Sequence, residues 1–394
     1  MKSEGDKNMI LIIGLLMLTM TMLYSCKKPY TPKIASINTS YLVVEGVINT
    51  GQDSTIFNLS RTVNLTTKVD TAVELGAQVT VEDNNNISYA IPEIGKGKYA
   101  APALGLDSTK QYHIRIKTTD GKEYLSDFTQ PKPTPPIDSV GFTLKDNGIQ
   151  IYVNTHDPKN NTHYYRWDYQ ETWQFHAKYF SSYVSNGSII VPRTPDQIIY
   201  YCFTGDASSS ITLGSSAKLV QDVIYQAPII SIASTSEKIE TRYSILLRQY
   251  ALTVDAFNYW QSLKKNTEQL GSIFDAQPSE LTGNIHCLTN ASVPVIGYIS
   301  AGSVQQKRIY IDNSQLPVTW LPSYPYDCQE DSLLYCRGSN CINEVINDLI
   351  PLPTGELPTS GVYKGGFIIG YIGAPLDCVD CTIRGTKQQP AFWQ

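Results

Sequence analysis

The chain is short of methionine, charge and histidine, and each shortage narrows what it can be. All five methionines, from Met1 to Met22, lie near the N-terminus, and none occurs in the rest of the chain. The first segment is thus a compositionally separate piece. Charged residues make up 17 % and the net charge is −5. That balance argues against a nucleic-acid binder, which needs a basic stripe. The five histidines, His113, His156, His163, His176 and His286, form no His-Glu-x-x-His or other close metal pair. Gly95-Lys96-Gly97-Lys98 has neither the spacing nor the following hydroxyl of a phosphate loop. No Gly-x-Ser-x-Gly elbow occurs. The pattern therefore assigns no cofactor, no metal and no catalytic residue. Paired carboxylates of the glycoside-hydrolase kind stay open, because they are remote in sequence.

Long apolar runs are also scarce, and the exception is informative. Met9 to Cys26 is uncharged and ends in Leu23-Tyr24-Ser25-Cys26. Its length suits a signal-peptide core and falls short of the roughly 20 apolar residues of a membrane span. A small residue directly before the cysteine is what a lipoprotein signal peptidase cuts after. Residues 1–25 are expected to be removed, Cys26 to carry lipid, and 26–40 to form an extended tether with Pro29 and Pro32. A retained anchor helix is the alternative. The flank Lys2, Glu4, Asp6, Lys7 is less basic than is usual for a signal. Lipidation is expected to place the protein at a membrane surface outside the cytoplasm.

What the chain has in quantity is tyrosine, 26 residues, along with many serines and threonines. Aromatic and β-branched side chains fit pleated surfaces, so the expected fold is mainly β. Residues 41–130 read as a small transthyretin- or immunoglobulin-like sandwich. Tyr41 to Ile48 is an apolar strand, and Asp83-Asn84-Asn85-Asn86 is a turn before alternating Ile87, Tyr89 and Ile91. Tyr112, Ile114 and Ile116 alternate with polar residues, and Asp120-Gly121 turns a hairpin. Residues 131–136 close a proline-rich stretch that reads as a linker. Residues 137–394 read as a larger β-rich domain with a helix at 253–271, capped by Thr253 and carrying Val254, Phe257, Trp260 and Leu263 on one face.

Within that domain Tyr164 to Phe180 alternates at length. Odd positions hold Tyr165, Trp167, Tyr169, Glu171, Trp173 and Phe175, and even positions hold Arg166, Asp168, Gln170 and Thr172. One face of a strand is then aromatic and the other polar, with a bulge expected at Glu171. The aromatic face reads as core rather than ligand platform. Loop aromatics Trp320, Tyr324, Tyr326 and Trp393 are the better ligand candidates.

Seven cysteines follow Cys26: Cys202, Cys287, Cys328, Cys336, Cys341, Cys378 and Cys381. Outside the cytoplasm these are disulfide candidates, and an odd number leaves one over. Cys378-Val379-Asp380-Cys381 lacks both a second zinc pair and the helical flank of a redox pair, so it also reads as structural. Asp followed by Ser or Thr recurs at Ser54, Thr71, Ser108, Ser139 and Ser332. The pattern resembles the O-glycosylation signal of exported Bacteroidota proteins, and it equally suits turns.

Four stretches together resemble an uncharacterised lipoprotein family of Bacteroidota, domain of unknown function 4249. They are Tyr164–Trp173, Tyr243–Leu246, Gly271–Pro278 with Gly283–His286, and Asp377–Cys381 running to Trp393. The resemblance implies an outer-membrane lipoprotein whose gene often accompanies a TonB-dependent receptor, and it carries no established catalytic residue. Lys27-Lys28-Pro29 stands where surface-exported Bacteroidota lipoproteins commonly carry acidic residues, which leaves the periplasmic or the outer face open. The expected function is a non-enzymatic accessory that binds a nutrient, glycan or peptide beside such a receptor. A surface hydrolase and an adhesion module are the alternatives.

Overall fold

Period-two alternation becomes strand over most of the described chain. Residues 40–63, 72–268, 281–351 and 355–393 are described in a computed structural model. Cys26, the 1–25 leader, the tether up to residue 39, Thr71 and the Gly271–Pro278 segment lie outside the described residues. No described helix is long and apolar enough to cross a membrane.

The first strands are β1 (Leu42–Asn49), β2 (Thr55–Arg61), β3 (Ala72–Val73), β4 (Gln78–Asp83), β5 (Ser88–Ala90), β6 (Glu93–Gly95), β7 (Lys98–Ala101), β8 (Tyr112–Lys117) and β9 (Glu123–Ser126). Asp83 makes the expected turn, its Oδ1 accepting from the backbone N–H groups of Asn85 (2.9 Å) and Ile87 (2.8 Å). There follow β10 (Ile137–Lys145), β11 (Gly148–His156), β12 (Tyr164–His176), β13 (Tyr183–Ser185), β14 (Ile190–Pro192), β15 (Tyr201–Ala207), β16 (Thr212–Ser215), β17 (Val223–Ala233) and β18 (Arg242–Ala251). After the helix Val254–Glu268 come β19 (Ile285–Cys287), β20 (Ser300–Gly302) and β21 (Val304–Asp312), and then β22 (Asp331–Leu334), β23 (Glu356–Lys364) and β24 (Phe367–Pro375). The fold is mainly β, as its composition leads one to expect.

Two sandwiches result. In the first, sheet β20-β1-β2-β7-β6 faces sheet β19-β9-β8-β4-β5, with Leu42, Phe57, Tyr99, Tyr112 and Ile114 buried between them. In the second, sheet β15-β12-β18-β21 covers sheet β10-β11-β17 over a core of Tyr165, Trp167, Phe175, Tyr243 and Ile151. A further, smaller sheet, β22-β24-β23, packs with β13 over Ile190, Val345, Leu349 and Tyr371.

The boundary expected at 131–136 is crossed. β19 and β20, from residues 285–302, supply one edge strand to each sheet of the first sandwich, so 41–130 is not a complete unit. This strap lies close: Gly297 has φ +151°, and a Cβ there would stand 2.4 Å from the Val44 carbonyl oxygen. The proline-rich stretch is not a free linker either. Lys132 N–H donates to Ala301 (2.9 Å), and Thr134 Oγ1 donates to the Ser303 carbonyl (2.5 Å) while accepting from Ala251 N–H (3.0 Å).

Two further expectations need correction. β12 pairs with β18 in unbroken register from Tyr165 to Gln174, so no bulge occurs at Glu171. Instead the carboxylate is buried on the aromatic face and held by Lys238 and Tyr243. The helix is capped by Thr253, whose Oγ1 accepts from Ala256 N–H at 3.2 Å. Its buried residues are Ala256 and Tyr259, one position away from the apolar stripe read in the sequence.

Among the described residues three disulfides form: Cys202–Cys381, Cys328–Cys378 and Cys336–Cys341. Cys287 is left free and buried. The two cysteines of the Cys-x-x-Cys are not joined to each other; each clamps the tail to a different segment.

Candidate functional site

The alternation that builds the second core also builds a cavity wall. Odd residues of β12 point into the sandwich, so the even ones point outward, and register extends them across neighbouring strands. Arg166 lies beside Tyr250 and Val304, and Asp168 beside Arg248 and Gln306. The outer face of the first sandwich supplies a second wall in the same way, with Glu45, Asn58 and Lys98 in one row across β1, β2 and β7. Between these walls lies a cleft of about 590 Å³, rimmed by Ser208, Ser209 and Ser210 and by Trp260 of the helix. That is within the range of small-molecule sites, roughly 300–1,000 Å³. A second hollow, between Glu240 and Trp320, holds about 10 Å³, room for about one water.

Aromatic rings and ion pairs fix the cleft side chains. The Arg166 guanidinium carbon lies 4.4 Å from the Tyr250 ring centre and 4.5 Å from that of Trp260. Such contacts contribute about 0.5–2 kcal/mol each, more when desolvated. Arg248 Nε donates to Asp168 Oδ1 at 2.5 Å. Burial works against the Arg248 charge, but Asp168 outweighs it and raises its pKa. Burial, reinforced by Asp168, also pushes the Tyr250 hydroxyl up. It is therefore a protonated hydroxyl at neutral pH. Gln306 Nε2 donates across the cleft to Asp53 Oδ2 at 3.1 Å, joining the two sandwiches.

The residues singled out in the sequence lie elsewhere, with one exception. Ser54 sits on the cleft rim and is exposed. Ser108 is exposed in a turn that Asp107 organises, its Oδ1 accepting from Thr109 N–H at 2.9 Å. Ser139 is half-buried in β10, and its Oγ accepts from Asn154 at 2.8 Å. Ser332 is exposed but belongs to β22 rather than a turn. The loop aromatics are structural. Trp320 packs on the second core, Tyr324 donates to Glu240 Oε1 (2.5 Å), and Tyr326 flanks Arg384. Trp393 is buried against Phe203 and Tyr310.

The histidines are likewise dispersed. His113, His156, His176 and His286 each pair with a carboxylate, Glu82, Asp138, Glu240 and Asp127 respectively, and His163 meets Ser216 Oγ at 3.3 Å. Among the described residues no three His, Cys, Asp or Glu side chains gather as a metal site.

The cleft itself was missed from the sequence. Its signal was present in the polar positions Arg166 and Asp168, which share a face at a spacing of two. What could not be read was the opposing wall, which lies more than 60 residues away along the chain.

No curated protein matches the chain. The family described as Domain of unknown function (DUF4249) matches residues 27–308. The match takes in every residue that lines the cleft and stops short of the disulfide-bonded tail, which the sequence resemblance had included. It spans well over half of the chain, and the protein belongs to this family.

Proposed function

We propose that the protein is a non-catalytic binding protein of the outer membrane, moored by lipid on Cys26, that captures a nutrient for a TonB-dependent receptor. The observation that carries the reading is the cleft. Two sheet faces oppose each other across a cavity of ligand size, and their side chains are held by cation–π contacts and ion pairs before any ligand arrives. Preorganisation of this kind lowers the entropic cost of binding. Two of the three cleft carboxylates support binding over hydrolysis; the third, Glu45, lies exposed on the facing wall. Asp168 is engaged by Arg248 and Asp53 by Gln306, arrangements that position side chains rather than free them for proton transfer.

Affinity purification from detergent-solubilised membranes tests the partner, and a TonB-dependent barrel is expected to co-purify. Repeated recovery of the protein without one refutes the accessory role. Labelled palmitate should enter the wild type and fail to enter C26A.

A further inference from the structure

Arg166 is held in place yet underused. Its guanidinium rests against Tyr250 and Trp260, and its side chain is only 16 % exposed. The nearest carboxylate oxygen, Asp168 Oδ2, is 3.7 Å from Arg166 Nη2, beyond hydrogen-bond distance, and Asp168 already accepts from Arg248. Among the described residues no acceptor hydrogen-bonds the Arg166 guanidinium. A guanidinium carries five N–H donors in a planar fork matched to a carboxylate or a tetrahedral oxyanion. Arg166 thus has one long ion pair, to Asp168, and on the facing wall the exposed Lys98 has no acidic partner within salt-bridge distance among the described residues. Two cations therefore reach one cavity from opposite sides, Arg166 with its fork free of hydrogen bonds and Lys98 two strands from the exposed Glu45 of the same wall.

The walls also say how the rest of a ligand is read. Both are sheet faces: the backbone groups of β1, β2, β12 and β18 are engaged with their neighbouring strands, and β15 and β21 alone among the wall strands are sheet edges. A peptide recognised as an added strand needs an unpaired edge. Here recognition falls to side chains: the amides of Asn58 and Gln306, the rim serines and the Trp260 ring. Hydroxyl-rich rings suit such a set, because they bring hydrogen-bonding groups around an apolar face.

We infer that the cleft takes an anionic oligosaccharide, with a carboxylate or sulfate against Arg166 and its hydroxylated body among Trp260, Asn58 and Gln306. This rests on the binding reading above and narrows its ligand.

The test is calorimetric titration of the full chain in detergent with four probes: trigalacturonate, a sulfated carrageenan tetrasaccharide, neutral cellotriose and hexaglutamate. At least one charged sugar is expected to bind at least about tenfold more tightly than cellotriose, since charge-assisted hydrogen bonds are about twice as strong as neutral ones. The stronger of the two identifies the anionic group. R166Q should remove that advantage, R166K should restore part of it, and thermal melts of both report whether they fold. Raising salt should weaken charged-sugar binding to the wild type, a readout that needs no variant. Equal binding of charged and neutral sugars, lost in W260A, overturns the anionic assignment and leaves the cleft reading standing. Tighter binding of hexaglutamate overturns the glycan assignment. Binding of none of the four overturns the inference, while the receptor co-purification decides the broader role separately.

Discussion

Lys238 Nζ lies 2.6 Å from Glu171 Oε2, and the Glu171 side chain is 2 % exposed on the aromatic face of β12. The other oxygen accepts from Tyr243 at 2.8 Å, and the Lys238 ammonium sits 4.9 Å from the Trp173 ring centre. Removing one partner of a buried pair strands the other, at about 3–5 kcal/mol. K238M is expected to lose that much in urea unfolding. K238M combined with E171M should recover a large part of it, because no buried charge is then left unpaired.

The disulfides should differ in weight. Cys202–Cys381 closes a separation of 179 residues and Cys336–Cys341 one of 5. Chain-entropy arguments assign about 5 kcal/mol to the first and about 2 kcal/mol to the second. The C202S/C381S variant should melt well below C336S/C341S. Equal melting temperatures would show that loop closure does not set the weight of these bonds.

Acid should attack the first sandwich through β4. The Lys110 ammonium, 2.6 Å away, holds the Asp83 carboxyl below its usual range, with the Ile87 and Asn85 N–H groups adding to it. Burial works against the Glu82 carboxylate, but hydrogen bonds from Arg115 and His113 outweigh it and lower its pKa too. Carboxyls lowered on folding give stability that is fully present above the unfolded value, about 4, and is lost as pH falls through the folded value. Urea midpoints should hold from pH 7 to about 5 and drop below about 4. D83N should flatten that drop, and a variant as steep as wild type would remove Asp83 from the account.

Gln249 joins the second core to the proline stretch. It is buried, its Oε1 accepts from Trp167 Nε1 (2.9 Å), and its Nε2 donates to the Pro135 carbonyl (2.9 Å) and Thr155 Oγ1 (3.0 Å). Q249L strands Trp167 Nε1 and the Pro135 carbonyl, at about 1–3 kcal/mol each, while Thr155 Oγ1 keeps its bond to the Pro136 carbonyl. Limited proteolysis should then open the chain near 131–136, where the wild type resists.

Much of the fold was legible because alternation is a local signal. The β12 pattern identified Tyr165, Trp167 and Phe175 as core and placed Arg166 and Asp168 on the other face. The Asp83 and Asp120-Gly121 turns were readable for the same reason, since an Asx side chain or a glycine acts on its own neighbours. What failed was non-local. Nothing near Ile285 or Ser300 announces that these residues pair with Ser126 and Val47. Glu171 looked like a bulge because its rescue comes from Lys238 and Tyr243, about 70 residues on. The helix stripe misled because Phe257 and Trp260 serve Tyr164 and Arg166 rather than the core. Disulfide connectivity was closed to spacing arguments for a like reason, as Cys378 and Cys381 part company three residues from each other.

The strap at 285–302 imposes an order on biosynthesis. A ribosome or translocon delivers the N-terminal strands first, yet two sheets stay unfinished until roughly three hundred residues have emerged. Until then β1 and β9 each present a bare ladder, the kind of surface that invites pairing between nascent molecules. A chain truncated before the strap should therefore precipitate rather than yield a small soluble module, and supplying 281–303 as a separate peptide should rescue it.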